Sequence, residues 1–256
     1  MKTIYIRGGK VNNTAINVMK HHFEELGHKV VRDKNDPLGW DVGLSWGCSY
    51  QGPKPFLNAN VNRFDKFNCF KEFRDAGVLC PLTFAVDNMR NRDYNLLLLN
   101  LPILARKKHH TKGKDIEVCR TRADVERVLH NGKHAFFSVW IPTDTEYRVW
   151  VFKNKALAVY EKQYKDEGEY EGFCRNRRFG FSFEKRDDLR GIATIEGPCI
   201  KAVKALGMDW GAVDILKGKD RKYYVLEVNS MPHIDTIKRS SGIRLAKAVS
   251  DWAEAQ

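Results

Sequence analysis

The sequence lacks the long apolar runs and the targeting signals that would place a protein in or across a membrane. No apolar run reaches the ~18 residues that a spanning helix needs. The N-terminus leads straight into a strand-like run, without the apolar stretch and cleavage site of a signal peptide. We therefore expect a soluble, cytoplasmic protein. The chain has 256 residues and is 43% hydrophobic, which suits a globular protein with a sizeable core.

Paired cysteines and several common catalytic motifs are also missing. The six cysteines are scattered, with no Cys-x-x-Cys pair and no histidines at zinc spacing. This pattern predicts reduced cysteines that are mostly small buried hydrophobes. No dinucleotide fingerprint and no Ser-His-Asp or Cys-His arrangement can be recognised. The Lys112-Gly113-Lys114 segment is not a P-loop, because the upstream glycine is absent and Asp115 replaces Ser or Thr.

Acidic residues are in the minority. The chain has 44 Lys and Arg against 32 Asp and Glu, a net charge of +12. Such an excess attracts nucleotides, nucleic acids or acidic peptides, and it does not choose among them. The densest cluster, formed by Arg175, Arg177 and Arg178, fits either a solvated face or a patch that binds carboxylate or phosphate.

The pattern of apolar residues predicts an α/β protein with three lobes. Residues 1–57 alternate strand, helix and strand, which indicates a small parallel α/β lobe. Residues 58–141 form a central lobe and residues 142–256 a C-terminal lobe.

Within these lobes, local signals predict particular elements. Asp65 is expected to cap a helix that ends at Gly77, residues 88–95 to form a loop, and Pro198 to begin a helix. The turn at residues 153–155 predicts a hairpin between two alternating strands.

Three metal-type ligands stand on the last two predicted strands. Glu227 and Asn229 are two residues apart and should project from one face of a strand. Asp214 can lie beside them if its strand pairs with theirs. Two carboxylates and an amide oxygen form the kind of site that Mg²⁺ prefers. Taken alone, Glu227 and Asn229 fit the solvated face of an edge strand better than a metal site.

The order of several segments gives these residues a family context. Residues 211–216 and 224–232 resemble the C-terminal metal signature of the ATP-grasp superfamily, most closely the branch that includes the ribosomal-protein glutamate ligase and many phage-type proteins. Residues 62–66 resemble the family's Asp-Lys helix, residues 102–106 its nucleotide-binding strand and residues 111–115 its phosphate loop. The resemblance spans roughly residues 58–235, and it implies an ATP-grasp fold in which two α+β lobes clamp the nucleotide.

The resemblance also implies roles for individual residues. Lys66 and Arg106 would contact the phosphates of ATP, and the loop with Lys112 and Lys114 would close over them. The remaining implied nucleotide contacts are made by the main chains of Val139 and Ile141, to adenine, and by the carboxylate of Glu146, to the ribose hydroxyls. The implied ligands of one or two Mg²⁺ ions, which Mn²⁺ could replace, are Asp214, Glu227 and Asn229.

The sequence departs from the family pattern on the substrate side. Ala212 stands where some relatives place an arginine for the acyl-phosphate intermediate, so Arg148 or Arg177 is expected to supply that charge. Pro232-His233 replaces the usual Pro-Gly, and Arg106 replaces the usual lysine.

The predicted function is an ATP-dependent carboxylate–amine ligase that forms an amide through an acyl phosphate and releases ADP and phosphate. Its partners would be a small or peptide carboxylate and an amine acceptor, without a membrane; an oligomer would be consistent with the family. The alternatives are a kinase with the same fold and a non-catalytic protein that binds a nucleotide or nucleic acid.

Overall fold

The computed structural model describes residues 1–8, 13–32, 39–52, 55–61, 65–108, 116–165, 173, 175, 180–186, 192–234 and 239–256. The helices in these residues are α1 (Asn13–Glu25), α2 (Lys66–Asp75), α3 (Asn91–Leu98), α4 (Arg122–Asn131), α5 (Ile192–Ala205) and α6 (Arg239–Glu254). The strands are β1 (Thr3–Gly8), β2 (Lys29–Val31), β3 (Val42–Trp46), β4 (Phe56–Leu57), β5 (Thr83–Ala85), β6 (Ile103–Arg106), β7 (Ile116–Cys119), β8 (Phe136–Val139), β9 (Thr143–Phe152), β10 (Lys155–Tyr164), β11 (Phe181–Arg186), β12 (Trp210–Gly218) and β13 (Tyr223–Asn229). No helix among these residues is both long and apolar enough to cross a bilayer.

The described residues form three sheets. The first is parallel, in the order β2-β1-β3-β4, and confirms the predicted N-terminal α/β layer. The second has the order β5-β8-β6-β7 and is antiparallel. The third and largest, β11-β10-β9-β12-β13, is also antiparallel and contains the predicted hairpin as β9 and β10.

The largest sheet is buried on one face by helix α5. Residues such as Val149, Val213 and Val225 point to this face, where they pack with Ile195, Cys199 and Val203 of α5. Because side chains alternate between the two faces of a sheet, the neighbours of these valines along each strand point to the opposite face. That second face is apolar at one end and charged at the other.

The apolar end of the second face packs on the first sheet. Trp150, Trp210 and Ala212 share a core with residues of β1, α1 and α6, and the rings of Trp46 and Trp210 lie 4.7 Å apart. This core crosses the predicted boundary at residue 57, and the closing helix α6 packs on α1. The three-lobe division remains a prediction.

Two predicted elements differ in the structure. Residues 88–95 were expected to be a loop, yet α3 begins at Asn91. The helix forms because Leu97 is fully buried, with Tyr94 and Leu98 packed beside it, and this burial outweighs the polar start of the segment.

Pro198 does not begin a helix but lies inside α5, which starts at Ile192. A proline inside a helix removes one hydrogen bond. The apolar stripe of Ile195, Cys199, Ala202 and Leu206 covers the sheet on both sides of the proline, and its burial offsets that loss. By contrast, the predicted cap of α2 is confirmed, since the carboxylate of Asp65 accepts from Asn68 N at 2.9 Å.

Asn58 fastens the segment after β4 to the start of β12. Its amide oxygen accepts from Asp209 N at 2.7 Å and from Trp210 N at 3.1 Å, and its Nδ2 donates to Trp210 O at 2.9 Å. The side chain is fully buried, so these three bonds have no solvent substitute.

We therefore expect Asn58→Ala to lower the free energy of unfolding by about 3 kcal/mol or more, because three main-chain groups lose their buried partner. Chemical denaturation monitored by circular dichroism measures this loss. Asn100→Ala is the matched control, because the side chain of Asn100 donates to Leu96 O in an exposed position. Equal effects of the two substitutions would contradict the fastening role of Asn58.

Candidate active site

The charged end of the large sheet is built by the register of three neighbouring strands. Asp214 on β12 lies opposite Glu227 on β13 and opposite Arg148 on β9. Asn229 lies opposite Ala212, two positions along the same strands. The structure thus brings together the three predicted metal ligands on one face, as the spacing of Glu227 and Asn229 and the pairing of their strand with that of Asp214 required.

Arg148 and Asp214 form a bidentate ion pair. Nε donates to Oδ1 at 2.6 Å and Nη2 to Oδ2 at 2.7 Å, the planar fork geometry that makes such pairs strong. Burial by itself would raise the pKa of Asp214, but Arg148 and Lys162 beside it hold this pKa well below its usual range. Arg148, the predicted stabiliser of the acyl phosphate, is therefore hydrogen-bonded to Asp214, a predicted metal ligand.

Lys162 is a site residue that the sequence reasoning missed. Its Nζ donates to Glu146 Oε1 and lies 3.6 Å from Asp214 Oδ2, and all three side chains are buried. Burial would lower the pKa of Lys162, but the two carboxylates more than offset this and raise it.

The strand pairing of the predicted hairpin could have indicated that Lys162 lies at the site, but a bulge changes that pairing. Lys155 pairs with Phe152, and counting on from there would place Glu146 opposite Glu161. A register shift between Ala156 and Ala158 moves the pairing by one residue, so that Arg148 faces Tyr160 and Lys162 comes level with Glu146.

Glu146 has a different setting from the one expected for a ribose ligand. Its carboxylate is in contact with Lys162 and is buried. This burial, together with the charge of Asp214, raises the pKa of Glu146 despite the neighbouring lysine. In this structure Glu146 holds Lys162, and a contact with ribose remains a prediction.

Lys66 completes the charged group from the side of helix α2. It is the first residue of the helix, and its Nζ lies 3.1 Å from Glu227 Oε2. Burial and the charge of Glu227 raise the pKa of the nearby Cys69 thiol to about 12, so this thiol is protonated at neutral pH. We use the name charged cluster for Lys66, Glu146, Arg148, Lys162, Asp214 and Glu227, which comprises three cations and three carboxylates.

The other predicted nucleotide contacts lie on or beside the second sheet. Arg106 is on β6, and Val139 ends β8. The N–H of Val139 donates to Leu82 O at 2.8 Å, so it is already used within the protein. Ile141 lies in the connection to β9, and the next residue, Pro142, accepts from Lys219 N at 2.9 Å. This bond ties the connection to the turn between β12 and β13.

Three predicted site residues, Lys112, Lys114 and Arg177, lie outside the described residues. Arg175, from the same arginine cluster as Arg177, donates to Thr143 O at 2.7 Å, with its guanidinium over the ring of Phe181. Arg175 therefore contacts the start of β9.

Residues 230–234 follow Asn229 and include the departure from the family pattern; this segment packs against the first sheet. Met231 packs against the core there, and a side chain at Gly47 would meet its Cβ at 2.9 Å. Gly47 has a φ of +75°, which also favours glycine. Pro232 is buried, whereas His233 is exposed.

The donors of this site fit a hard divalent cation. Among the described residues, no group of three or more His, Cys, Asp or Glu could hold a metal, so a cation here depends on Asn229 as the third donor. A cation would be bound by Oδ1 of Asn229, since Nδ2 is a hydrogen-bond donor; this Nδ2 is buried and has no hydrogen-bond partner in the described part of the chain. Asp214, Glu227 and Asn229 offer the mixture of carboxylate and amide oxygens that Mg²⁺ accepts.

Comparison with known proteins places this geometry in a family. A model described as the RimK-like ATP-grasp domain matches residues 65–253. A probable alpha-L-glutamate ligase of Haemophilus influenzae is 31% identical over 225 residues, which are 81% of this chain and 72% of the relative. One of Klebsiella pneumoniae is 25% identical, over 75% of this chain and 64% of the relative's length.

Solved structures share the fold at low identity. The ATP-grasp ligase PsnB, complexed with a minimal precursor, Mg and ADP, superposes with a TM-score of 0.71 at 13% identity, over 98% of this chain and 97% of PsnB. The D-alanine–D-alanine ligase of Bacillus anthracis complexed with ATP gives a TM-score of 0.66 at 16% identity, over 100% of this chain and 98% of the ligase. The chain belongs to the RimK-like ATP-grasp family and has the fold of ATP-grasp ligases.

Proposed function

We propose that the protein is an ATP-dependent carboxylate–amine ligase whose active centre is the charged cluster together with Asn229. The observation that carries the proposal is the placement of Asp214 between Glu227 and Arg148 on three paired strands. Oxygen ligands and cations then alternate over one small area, which suits the binding of a polyphosphate with a divalent cation. Membership of the RimK-like ATP-grasp family supports this proposal.

The reaction has two steps. A substrate carboxylate oxygen attacks the γ-phosphorus of ATP, the bond to the β–γ bridging oxygen breaks, and ADP leaves. An amine then attacks the carbonyl carbon of the acyl phosphate, phosphate leaves with the bonding electrons, and the amine nitrogen releases a proton. No covalent bond to the protein is required, so its contribution is positioning and charge stabilisation.

The cations of the cluster would do this work by changing partners. Lys66, Arg148 and Lys162 now pair with carboxylates of the site. Asp214, Glu227 and Asn229 would hold Mg²⁺, which would supply positive charge to offset the phosphates. Lys66 and Arg148 can then turn from these carboxylates to phosphate oxygens, while Glu146 keeps Lys162 in place.

The remaining assignments concern the nucleotide base and the phosphate loop. Because the N–H of Val139 is used by Leu82, we assign adenine recognition chiefly to the main chain of Ile141. Arg106, Lys112 and Lys114 are proposed as phosphate contacts and Arg177 as a second stabiliser of the acyl phosphate. A cytoplasmic location follows from the need for ATP and is likewise a proposal.

The substrates are a carboxylate and an amine, and acidic peptides are natural candidates because the chain carries a net charge of +12. A screen that measures ADP release across amino acids and acidic peptides would identify them. An amide product with free phosphate supports a ligase, whereas a stable phosphorylated product would show that the protein is a kinase. Absence of ADP release with every candidate, together with salt-sensitive nucleic-acid binding, would favour the non-catalytic alternative.

Glu227→Gln and Asn229→Ala are expected to lower Mg²⁺-dependent ATP turnover by about 100-fold or more, because each removes a donor to the ion that offsets phosphate charge. Initial rates of ADP release at saturating ATP measure the effect, and circular dichroism verifies the fold. The control is Glu126→Gln, since Glu126 is an exposed carboxylate paired with Arg122 on α4. Full turnover in both site variants would rule out this metal site.

Lys162→Met is expected to lower the free energy of unfolding by about 3–5 kcal/mol, because it leaves buried carboxylates short of a cation. Adding Glu146→Gln should restore part of this stability, since the uncompensated charge is then removed. Turnover should stay low in the double variant because the cation is still absent. Denaturation curves and ADP release, measured on both variants, separate the two roles of Lys162; a recovery of turnover in the double variant would show that Lys162 is only structural.

A further inference from the structure

Phe183 is the residue of β11 that faces the charged cluster. It pairs directly with Lys162 across the two strands, so both side chains project from the same face of the sheet. Its ring centroid lies 4.7 Å from Arg148 Cζ and 5.6 Å from Lys162 Nζ. One aromatic ring therefore contacts both cations that hold Asp214.

The ring itself is anchored in the apolar part of the same face. Phe183 packs, half-buried, against the core that contains Tyr160 and Trp150 and that joins the large sheet to the first sheet. It stands at the border between the apolar end and the charged end. Because the core fixes the position of the ring, the ring can restrict the movement of the two cationic side chains that contact it.

The ring of Phe183 approaches the two cations from a different direction than their hydrogen-bond partners do. Asp214 and Glu146 direct the cations from within the sheet surface, whereas the ring covers them from the side of β11. An aromatic face attracts a cation through its quadrupole, most strongly when water is excluded, and Arg148 and Lys162 are both largely buried. A flexible lysine or arginine gains one preferred direction from such a ring.

We propose that Phe183 is a positioning residue that holds Arg148 and Lys162 in the orientation needed during phosphoryl transfer, an inference that rests on the proposed ligase function. The ring touches neither nucleotide nor acyl substrate in this assignment. It limits how far Arg148 can move when it exchanges its carboxylate partner for phosphate oxygens, and it helps to keep Lys162 beside Glu146. The electrostatic benefit of a pre-oriented cation appears in the transition state more than in ATP binding.

The direct test compares Phe183→Leu with Phe183→Tyr. Leucine keeps an apolar side chain but removes the aromatic face, whereas tyrosine retains it. In two-dimensional NMR spectra of the full chain, the Arg148 Nε–H and Lys162 Cε–H signals should carry ring-current shifts in the wild type and in Phe183→Tyr. Both shifts should disappear in Phe183→Leu, which verifies that the ring lies over the two cations; unshifted Arg148 and Lys162 signals in the wild type would contradict the contact.

The kinetic test uses the same variants with saturating amine and carboxylate. Phe183→Leu should lower kcat by about tenfold, the loss expected for a desolvated cation–π contact, while the KM for ATP changes little. Phe183→Tyr should restore kcat. Phe84→Leu is the matched control, because Phe84 is a buried phenylalanine of the second sheet, packed in that sheet's own core.

The outcomes separate this inference from the ligase proposal. Unchanged kcat in Phe183→Leu, with an active wild type, overturns the positioning role and leaves the ligase function intact. An equal loss in Phe84→Leu, or a change confined to the KM for ATP, also overturns it. A wild type that turns over no ATP with any carboxylate refutes the ligase proposal and with it the assignment of Phe183 to catalysis, whether or not the ring-current shifts are present.

Discussion

The carboxylate of Asp214 can be buried on the large sheet only because two cations reach it there. Arg148 supplies two hydrogen bonds from the adjacent strand, and Lys162 approaches from the strand beyond it. An unpaired carboxylate at this depth would be protonated or would unfold the strand ends. The register of β9, β10 and β12 is thus tied to the ionisation of one side chain, and the geometry of the site follows from it.

The same sheet face serves two physical purposes. Its apolar end joins the first sheet through the Trp46–Trp210 contact and the hydrogen bonds of Asn58. Its charged end carries Arg148, Lys162 and Asp214, and β13 places Glu227 and Asn229 there beside Asp214. Because both ends belong to the same rigid strands, packing in the core fixes the positions of the charged side chains. Phe183 stands at the border of the two regions and contacts both.

Some elements could be predicted because their signals are local. The Asp65 cap, the β9–β10 hairpin and the parallel N-terminal layer follow from capping, turn and alternation patterns, and the structure confirms them. Helix α3 and the start of α5 could not be predicted in the same way, because their stability comes from burial of Leu97 and of the stripe around Cys199. Long-range packing overrides a polar start in the first case and an internal proline in the second.

The site shows the same division between local and distant causes. The sequence by itself determined that Glu227 and Asn229 share a face, because strand alternation depends on nothing beyond the strand, whereas the place of Asp214 opposite Glu227 depended on the pairing of two strands. It also determined the family, through the order of its motifs.

Only the tertiary structure decided that Arg148 forms a bidentate ion pair with Asp214, that Glu146 pairs with Lys162, and that the ring of Phe183 contacts both cations. Each of these contacts crosses strands, and a single bulge between Ala156 and Ala158 shifts the pairing that brings Lys162 into the site. A shift of one residue moves every later partner, and its position is set by packing against neighbouring strands, which the local sequence does not encode.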